Sequence, residues 1–372
     1  MIKKITSVFA LCILTIVFAS CDLKQYRPSA VGTFGEVIVV MDSTEYQGPV
    51  AEAIRSVFGE NIYTIPGAPD FMDVRFRSFS TESQLDQLKK FKNIIIAAPL
   101  DGQSNTAGLV RALLGENAKQ QVEAGNNFSF IIQDEWYKNQ WLLILTAPDA
   151  ETLTSKIQSD SEELTHSLLQ KEFQRWRDRV YKNSEKKNVE EYLWTNYGWK
   201  IRVKHDWSPH LDTTYTQGGS NNHLFTMQRI TQKNDRRFWA WWQNKSIDVD
   251  TLTNNGINAL RDKIWQKWFR GDRSGAYIAT SFRRPVVTDT LTIGGHPAYE
   301  TLGVWRMKGD VMAGPFASIL VYDKRTERLF MVGFLQFAPS VKEKRPYVRQ
   351  FRAMLRTFKT DPDFEAEEQG ED

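Results

Sequence analysis

The chain has 372 residues and a formal net charge of only +3, and 12% of its residues are aromatic. So small a charge excludes the electrostatic footprint of a nucleic-acid binder, and the length exceeds what one hydrophobic core holds, so two domains are expected. The only cysteines are Cys12 and Cys21, so no disulfide framework staples the fold.

The chain begins as an export signal. Lys3 and Lys4 precede an apolar run from Ile5 to Phe18, followed by Ala19, Ser20 and Cys21. A basic start, a short apolar stretch and small residues at a cut site read as a secretory signal peptide over residues 1–20. The run is shorter than the roughly 20 residues that span a bilayer as a helix. Phe18-Ala19-Ser20-Cys21 resembles a bacterial lipobox, in which the cysteine is acylated and becomes the new N-terminus. Acylation also accounts for what would otherwise be one unpaired, exposed thiol on an exported chain. Several fatty chains such as palmitate, at about 0.8 kcal/mol per buried methylene, hold a protein on a membrane stably. Asp22-Leu23-Lys24-Gln25 lacks the acidic run that favours surface display. Asp22 directly after the cysteine is an inner-membrane retention signal in enterobacteria, which keeps that membrane open; the preferred address is the outer membrane, facing the periplasm, with Cys21 the link to the lipid.

Residues 21–33 read as a lipidated tether. A first domain is expected over residues 34–190. It takes a buried strand at Glu36–Met41 and a helix at Pro49–Phe58 with Val50, Ile54 and Phe58 on one face. A strand at Asp73–Phe79 follows, then a helix at Glu82–Lys90 and a buried strand at Asn93–Ala98. Residues 106–124 read as helical, interrupted near Gly115, and a hairpin spans Phe128–Trp136 and Trp141–Thr146. Asp149 is placed to cap a long helix reaching about Asn183, with Leu153, Ile157, Leu164 and Leu168 on one face. That helix is expected to join the two domains.

The second domain is expected over residues 191–360. A strand starts at Tyr197–Val203, and Phe238–Trp242 is a dense aromatic strand. Ile257, Leu260, Ile264 and Trp268 mark a helix that stops at Gly271. Strands follow at Ala276–Phe282, Thr290–Ile293, Ala298–Met307, Phe316–Asp323 and Leu329–Phe337, then a last helix at Pro346–Phe358. Residues 361–372 form an acidic tail, expected to be disordered. The fold class is α+β: two mixed α/β layer domains joined by a long helix, the second a mostly antiparallel sheet with packing helices.

The segment Gly294–Ser318 (GGHPAYETLGVWRMKGDVMAGPFAS), with Gly333–Pro339 and Gly35–Met41, resembles an uncharacterised family of Bacteroidetes lipoproteins classed as a domain of unknown function. The likeness departs at His223–Arg229, where members carry an aromatic-rich turn. The late Gly-x-Pro-Ala strand entry, three long strands and closing helix are similar to the PsbP-type α/β/α sandwich. The resemblance implies a binding or assembly module and an envelope address, and it assigns no activity.

Candidate chemistry is sparse. His205 and His210 flank Asp206, but Pro209 breaks the register and the spacing fits no metal motif, so a solvated loop is the better account and no metal is expected. His296 sits in a Gly-Gly-His-Pro turn and reads as structural. There is no G-x-S-x-G, no G-x-G-x-x-G after a strand and no phosphate-binding loop, so no catalytic residue and no cofactor is assigned. Trp239, Trp241, Trp242 and Trp305 could stack on sugars, although alternation splits the first three between two faces and favours a sandwich core.

Two features remain. The loop Lys308–Phe316 is a candidate binding loop presenting Asp310, Met312, Gly314 and Phe316. Arg345, Arg349, Arg352 and Arg356 fall within an arc of about 60° on the last helix, opposite Val348, Phe351, Leu355 and Phe358. They form a candidate basic patch, solvated or facing an anion, such as a lipid phosphate, an acidic partner or the chain's own acidic tail. The chain therefore reads as a membrane-anchored cell-envelope lipoprotein, a non-catalytic binding or assembly module with an envelope protein or glycan partner. The alternative is an envelope hydrolase or a glycan- or peptidoglycan-binding protein.

Overall fold

The structure, a computed structural model, describes residues 27–217, 220–244 and 252–364. Cys21 and most of the acidic tail lie outside the described residues. The chain divides into two compact units: one holds Val37–Tyr46 and Arg75–Leu153 with the stretch up to Thr33, the other Phe34–Glu36, Gln47–Val74 and everything from Thr154.

The first unit is built on a five-stranded sheet. Its strands are β1 (Glu36–Val40), β2 (Asp73–Arg77), β3 (Asn93–Ala97), β4 (Ser129–Gln133) and β5 (Trp141–Leu145), in the order β2-β1-β3-β5-β4. β1, β3 and β5 run parallel, and β4 pairs antiparallel with β5. Those three strands are buried along their whole length, which is why they read as unbroken apolar runs, as strands covered on both faces do. Helix α1 (Pro49–Phe58) follows β1 in the chain and belongs to the second unit. α2 (Glu82–Leu88) opens with a capping box between Thr81 and Gln84. α3 (Asn105–Leu113) and α4 (Glu116–Glu123) are separated at Leu114-Gly115, the expected interruption. Ala107 and Val110 of α3 pack against Ile38, Ile94, Ile96, Leu142 and Ile144. Asn139, at φ +62°, turns the β4–β5 hairpin.

The expected long helix is two: α5 (Ala150–Ser159) and α6 (Ser161–Val180), meeting at Asp160, whose φ of −104° and ψ of +20° leave the helical region. Asp149 does cap the first, accepting from the Thr152 amide at 2.8 Å. A further helix, α7 (Lys187–Tyr197), closes at Gly198 in the left-handed conformation.

The second unit is an α+β domain on a mostly antiparallel sheet. β6 (Trp199–Lys200) is followed by β7 (Ser208–Gln217), β8 (Ser220–Thr231), β9 (Asn234–Asn244), helix α8 (Asn254–Trp268), β10 (Tyr277–Thr280), β11 (Val287–Ile293), β12 (His296–Lys308), β13 (Ala313–Asp323) and β14 (Arg328–Phe337). Helix α9 (Arg345–Leu355) and β15 (Lys359–Thr360), which pairs with β6, end it. The sheet order is β10-β12-β13-β14-β9-β8-β7, with β11 added on β12. His205 and Asp206 lie in the expected loop, but His210 already belongs to β7, and His223–Arg229, where the family likeness departs, lies in β8. The Thr, Asn and His residues of β7 and β8 mask the alternation, and only Leu224, Phe225 and Met227 betray burial.

Both faces of this sheet are covered. Phe238, Trp242, Ile319, Val332 and Phe334 face α9 through Val348, Phe351 and Leu355. Trp239, Trp241, Leu320, Met331 and Leu335 face α8 through Ile257, Ile264 and Trp265. Strand alternation thus splits the tryptophans between two cores, as their spacing predicts. Trp239, Trp241, Trp242 and Trp305 are all buried, so none offers a ring face to a sugar at the surface.

Candidate functional site

β12 and β13 pair from Ala298↔Val321 to Arg306↔Ala313 and are joined by the turn Gly309–Met312. Gly309 has φ +85°, a conformation that glycine takes without a steric penalty. The Asp310 carboxylate accepts from the Val311 amide at 2.6 Å, and the Met307 amide donates to the Met312 carbonyl at 2.7 Å, closing the turn. Val311, at the tip, is 96% exposed.

Beneath this turn lies a cleft of about 130 Å³. Its apolar lining comes from Phe269, Ile278, Trp305, Met307, Leu335 and Phe337, with Met312 beside them. Its polar lining is Asp310, Asp235, Asp272, Arg237 and Arg270. Asp235 and Arg237 come from β9, Arg270 and Asp272 from the segment after α8. Arg237 reaches one Asp235 oxygen at 3.3 and 3.4 Å, while Oδ1 of Asp235 is buried without a hydrogen-bond partner. Trp305 is fixed by its indole N–H, which donates to the Gln336 carbonyl at 3.1 Å. Gly314 makes that arrangement fit: a Cβ there would fall 1.8 Å from the same carbonyl oxygen.

The four residues expected in a binding loop stand in different places. Asp310 and Met312 line the cleft. Gly314 is a buried strand residue whose role is clearance, and Phe316 is a core side chain edge-on to Trp265 at 5.2 Å. Asp235, Arg237, Phe269, Arg270 and Asp272 were not foreseen, because the sheet order brings β9 and the α8–β10 segment to a turn far away in sequence.

The arginine arc on α9 exists, but the guanidinium groups do not stand free in solvent, a correction to the expected solvated face. Arg352 grips Glu300 through Nε at 3.1 Å and Nη2 at 2.6 Å, and Arg356 grips the same carboxylate at 2.7 and 3.0 Å. Both guanidinium groups lie over the Phe173 ring. Arg349 is buried, 3.5 Å from Glu172, and donates to the Phe71 carbonyl. Arg345 donates to the Asp70 carbonyl at 2.6 Å. Glu172 also receives Arg175 at 2.8 Å and the Gly35 amide at 3.1 Å. The anions that meet Arg349, Arg352 and Arg356 are thus two buried carboxylates of the chain itself, while Arg345 pairs with the half-exposed Glu343 at 3.8 Å. Burial pushes the Glu300 carboxyl up, but the charges and hydrogen bonds of Arg352 and Arg356 outweigh it and hold its pKa down at about 2. For Arg349 burial dominates and lowers the guanidinium to about 10. Arg352 and Arg356 also edge a groove of about 770 Å³ with His166, Gln170 and Asp289.

The histidines divide between surface and structure. His205 and His210 are exposed, and Asp206 between them is taken by Lys204 at 3.0 Å and Arg229 at 2.5 Å. His296 follows Gly294 and Gly295, both at positive φ, and its Nε2 lies 2.9 Å from the Thr360 hydroxyl. It joins the strand entry to β15, a structural role.

Comparison with known families divides the chain in two. Residues 185–357 match a family model described as a domain of unknown function (DUF4837). Residues 30–181 match a second, also a domain of unknown function (DUF8532). No curated protein matches the chain. The two matches are consistent with an uncharacterised family, and neither carries an assigned activity.

Proposed function

We propose that this chain is a lipid-anchored lipoprotein of the bacterial cell envelope, held through acylated Cys21. Its second domain is a non-catalytic binding or assembly module that takes its ligand beneath the Gly309–Met312 turn. The anchor is supported by Lys3 and Lys4, the short apolar run and the small residues before Cys21. Among the described residues no helix is long and apolar enough to cross a membrane, and in this reading the acyl chains alone provide attachment. The address is the outer membrane, facing the periplasm, where an envelope protein or glycan would be met.

The observation that carries the binding role is the cleft. Charged side chains from separate elements converge over an apolar floor, the composition by which small sites fix and orient a ligand. Asp310 and Met312 reach it from a turn whose glycine fixes its shape.

Radiolabelled palmitate tests the anchor. Wild-type protein expressed in a bacterium of the source type should incorporate label and sediment with membranes. Cys21→Ser should lose both while keeping the same folded core. Equal labelling of the two proteins would overturn the anchor.

A further inference from the structure

The first unit carries its charge unevenly from end to end. The segment Pro28–Val31 crosses the end at which β3 and β5 begin. The Lys138 amide donates to the Pro28 carbonyl at 2.9 Å, the Ala30 amide to the Lys138 carbonyl at 2.9 Å and the Val31 amide to the Lys90 carbonyl at 2.8 Å. The chain is thus strapped between the α2–β3 corner and the tip of the β4–β5 hairpin. We propose that these three segments form the surface by which the protein rests on anionic phospholipid headgroups, an inference that depends on the acyl anchor at Cys21.

The strap sets the distance. Cys21 stands six residues before Arg27, and an extended chain spans at most about 3.6 Å per residue, so the lipid lies within about 22 Å of Arg27. Arg27 itself donates to the Asp134 carbonyl in the hairpin. β3 and β5 are five residues long, about 17 Å, so their far ends stand a strand length further from the anchor.

Charge points the same way. Residues 27–33, 86–92 and 134–140 hold five cations: Arg27, Lys89, Lys90, Lys92 and Lys138. Their three carboxylates are Asp86, which takes Lys89 at 2.9 Å, Asp134, which accepts from the Gln140 amide at 3.0 Å, and Glu135. Lys90 and Lys92 donate to Gln87 and to the Gly32 carbonyl, and an ammonium has three donors to give. The segments that leave β1, β3 and β5 at the opposite end, residues 41–46, 98–104 and 146–151, hold Asp42, Glu45, Asp101, Asp149 and Glu151. Arg77 ends β2 there, and Arg111 is turned onto the Leu100 and Gly102 carbonyls. An anionic bilayer attracts the first end and repels the second. Each Lys or Arg near such a surface favours contact about fivefold.

The hairpin adds Trp136 and Tyr137, both half-buried, with Lys89 Nζ 5.8 Å from the Trp136 ring centre. Rings with an apolar body and a polar tip suit the headgroup layer. An acidic protein would meet the same charges, but only the bilayer is held within tether length at all times.

Acylation leaves no free thiol beyond residue 20, so one introduced cysteine carries a fluorophore uniquely. Gln133→Cys labels the end of β4 on the proposed face, and Gln103→Cys labels the opposite end; both positions are exposed. The acylated full-length mature protein is added to phosphatidylcholine vesicles, with or without phosphatidylglycerol, that carry a headgroup nitroxide quencher. With phosphatidylglycerol the label at 133 should be quenched strongly and the label at 103 weakly. Raising salt from about 0.1 M to about 1 M, which shortens the screening length to about 3 Å, should remove the difference. Lys90→Gln and Lys138→Gln should each lower the ratio of seated to unseated protein about fivefold. Equal quenching at the two labels, or quenching at 133 indifferent to phosphatidylglycerol, in protein that floats with the vesicles would overturn the docking face and leave the anchor standing. Failure to float with either vesicle would overturn the anchor and the face together.

Discussion

Arg352 holds Glu300 as a fork, Nε on one carboxylate oxygen and Nη2 on the other, at 3.1 and 2.6 Å, with the carboxylate 2% exposed. Arg356 adds a second fork, so two guanidinium groups share one buried anion. Ion pairs of this kind gain little over an apolar core but cost heavily when one member is removed, because the remaining charges stay buried.

Glu300→Gln is therefore expected to destabilise the second domain by about 3–5 kcal/mol. The change should appear as a lower urea midpoint at pH 7 with an unchanged denaturant slope. A variant within experimental error of wild type would mean that the two arginines find other partners.

The same pair sets an acid dependence. The folded Glu300 carboxyl sits at about 2, below the roughly 4.3 of an unperturbed glutamate. As pH falls, the unfolded chain takes up the proton first, so the stabilisation is complete above the unfolded value and is lost as pH drops toward 2. Urea midpoints measured from pH 5.5 to pH 2.5 should fall more steeply for the wild type than for Glu300→Gln. Parallel slopes would contradict the assignment.

Gly314 supplies a steric prediction. A methyl group at this position would meet the Gln336 carbonyl at 1.8 Å and the Trp305 indole nitrogen at 3.1 Å. Gly314→Ala should cost about 2–3 kcal/mol as an overpacked site. It should also displace Trp305, visible as a change in tryptophan fluorescence.

In the first unit the Thr81 hydroxyl accepts from the Gln84 amide at 3.3 Å, while the Gln84 side chain returns to the Thr81 amide. Thr81→Ala removes one half of this capping box and should lower stability by about 1 kcal/mol. The Gln84→Ala variant should reproduce part of that loss, and the double variant should cost less than the sum.

Local patterning carried much of the fold. Continuous apolar runs located β1 and β3, and alternation placed Trp239 and Trp242 on opposite faces of their strand, each of which the structure covers with a core. The arc of Arg345, Arg349, Arg352 and Arg356 was likewise legible from helical period. What it faced was not, because period reports an angle around one helix and says nothing of which element stands opposite. Glu300 lies 52 residues before Arg352, and Glu172 lies 177 before Arg349. β7 and β8 escaped notice because Thr213, Thr214, Asn222 and His223 alternate polar with polar on a pleated surface. The cleft was half visible. Gly309 marked a turn and so exposed Asp310 and Met312, but Asp235 arrives through β14 pairing with both β13 and β9, a tertiary fact with no local sign.

The intact mass of protein extracted from native membranes tests the proposed anchor most directly. The account predicts a chain that begins at Cys21 and is heavier than its amino acids by a thioether-linked diacylglycerol. A chain retaining Met1, or one beginning at Cys21 with a free thiol, would contradict it.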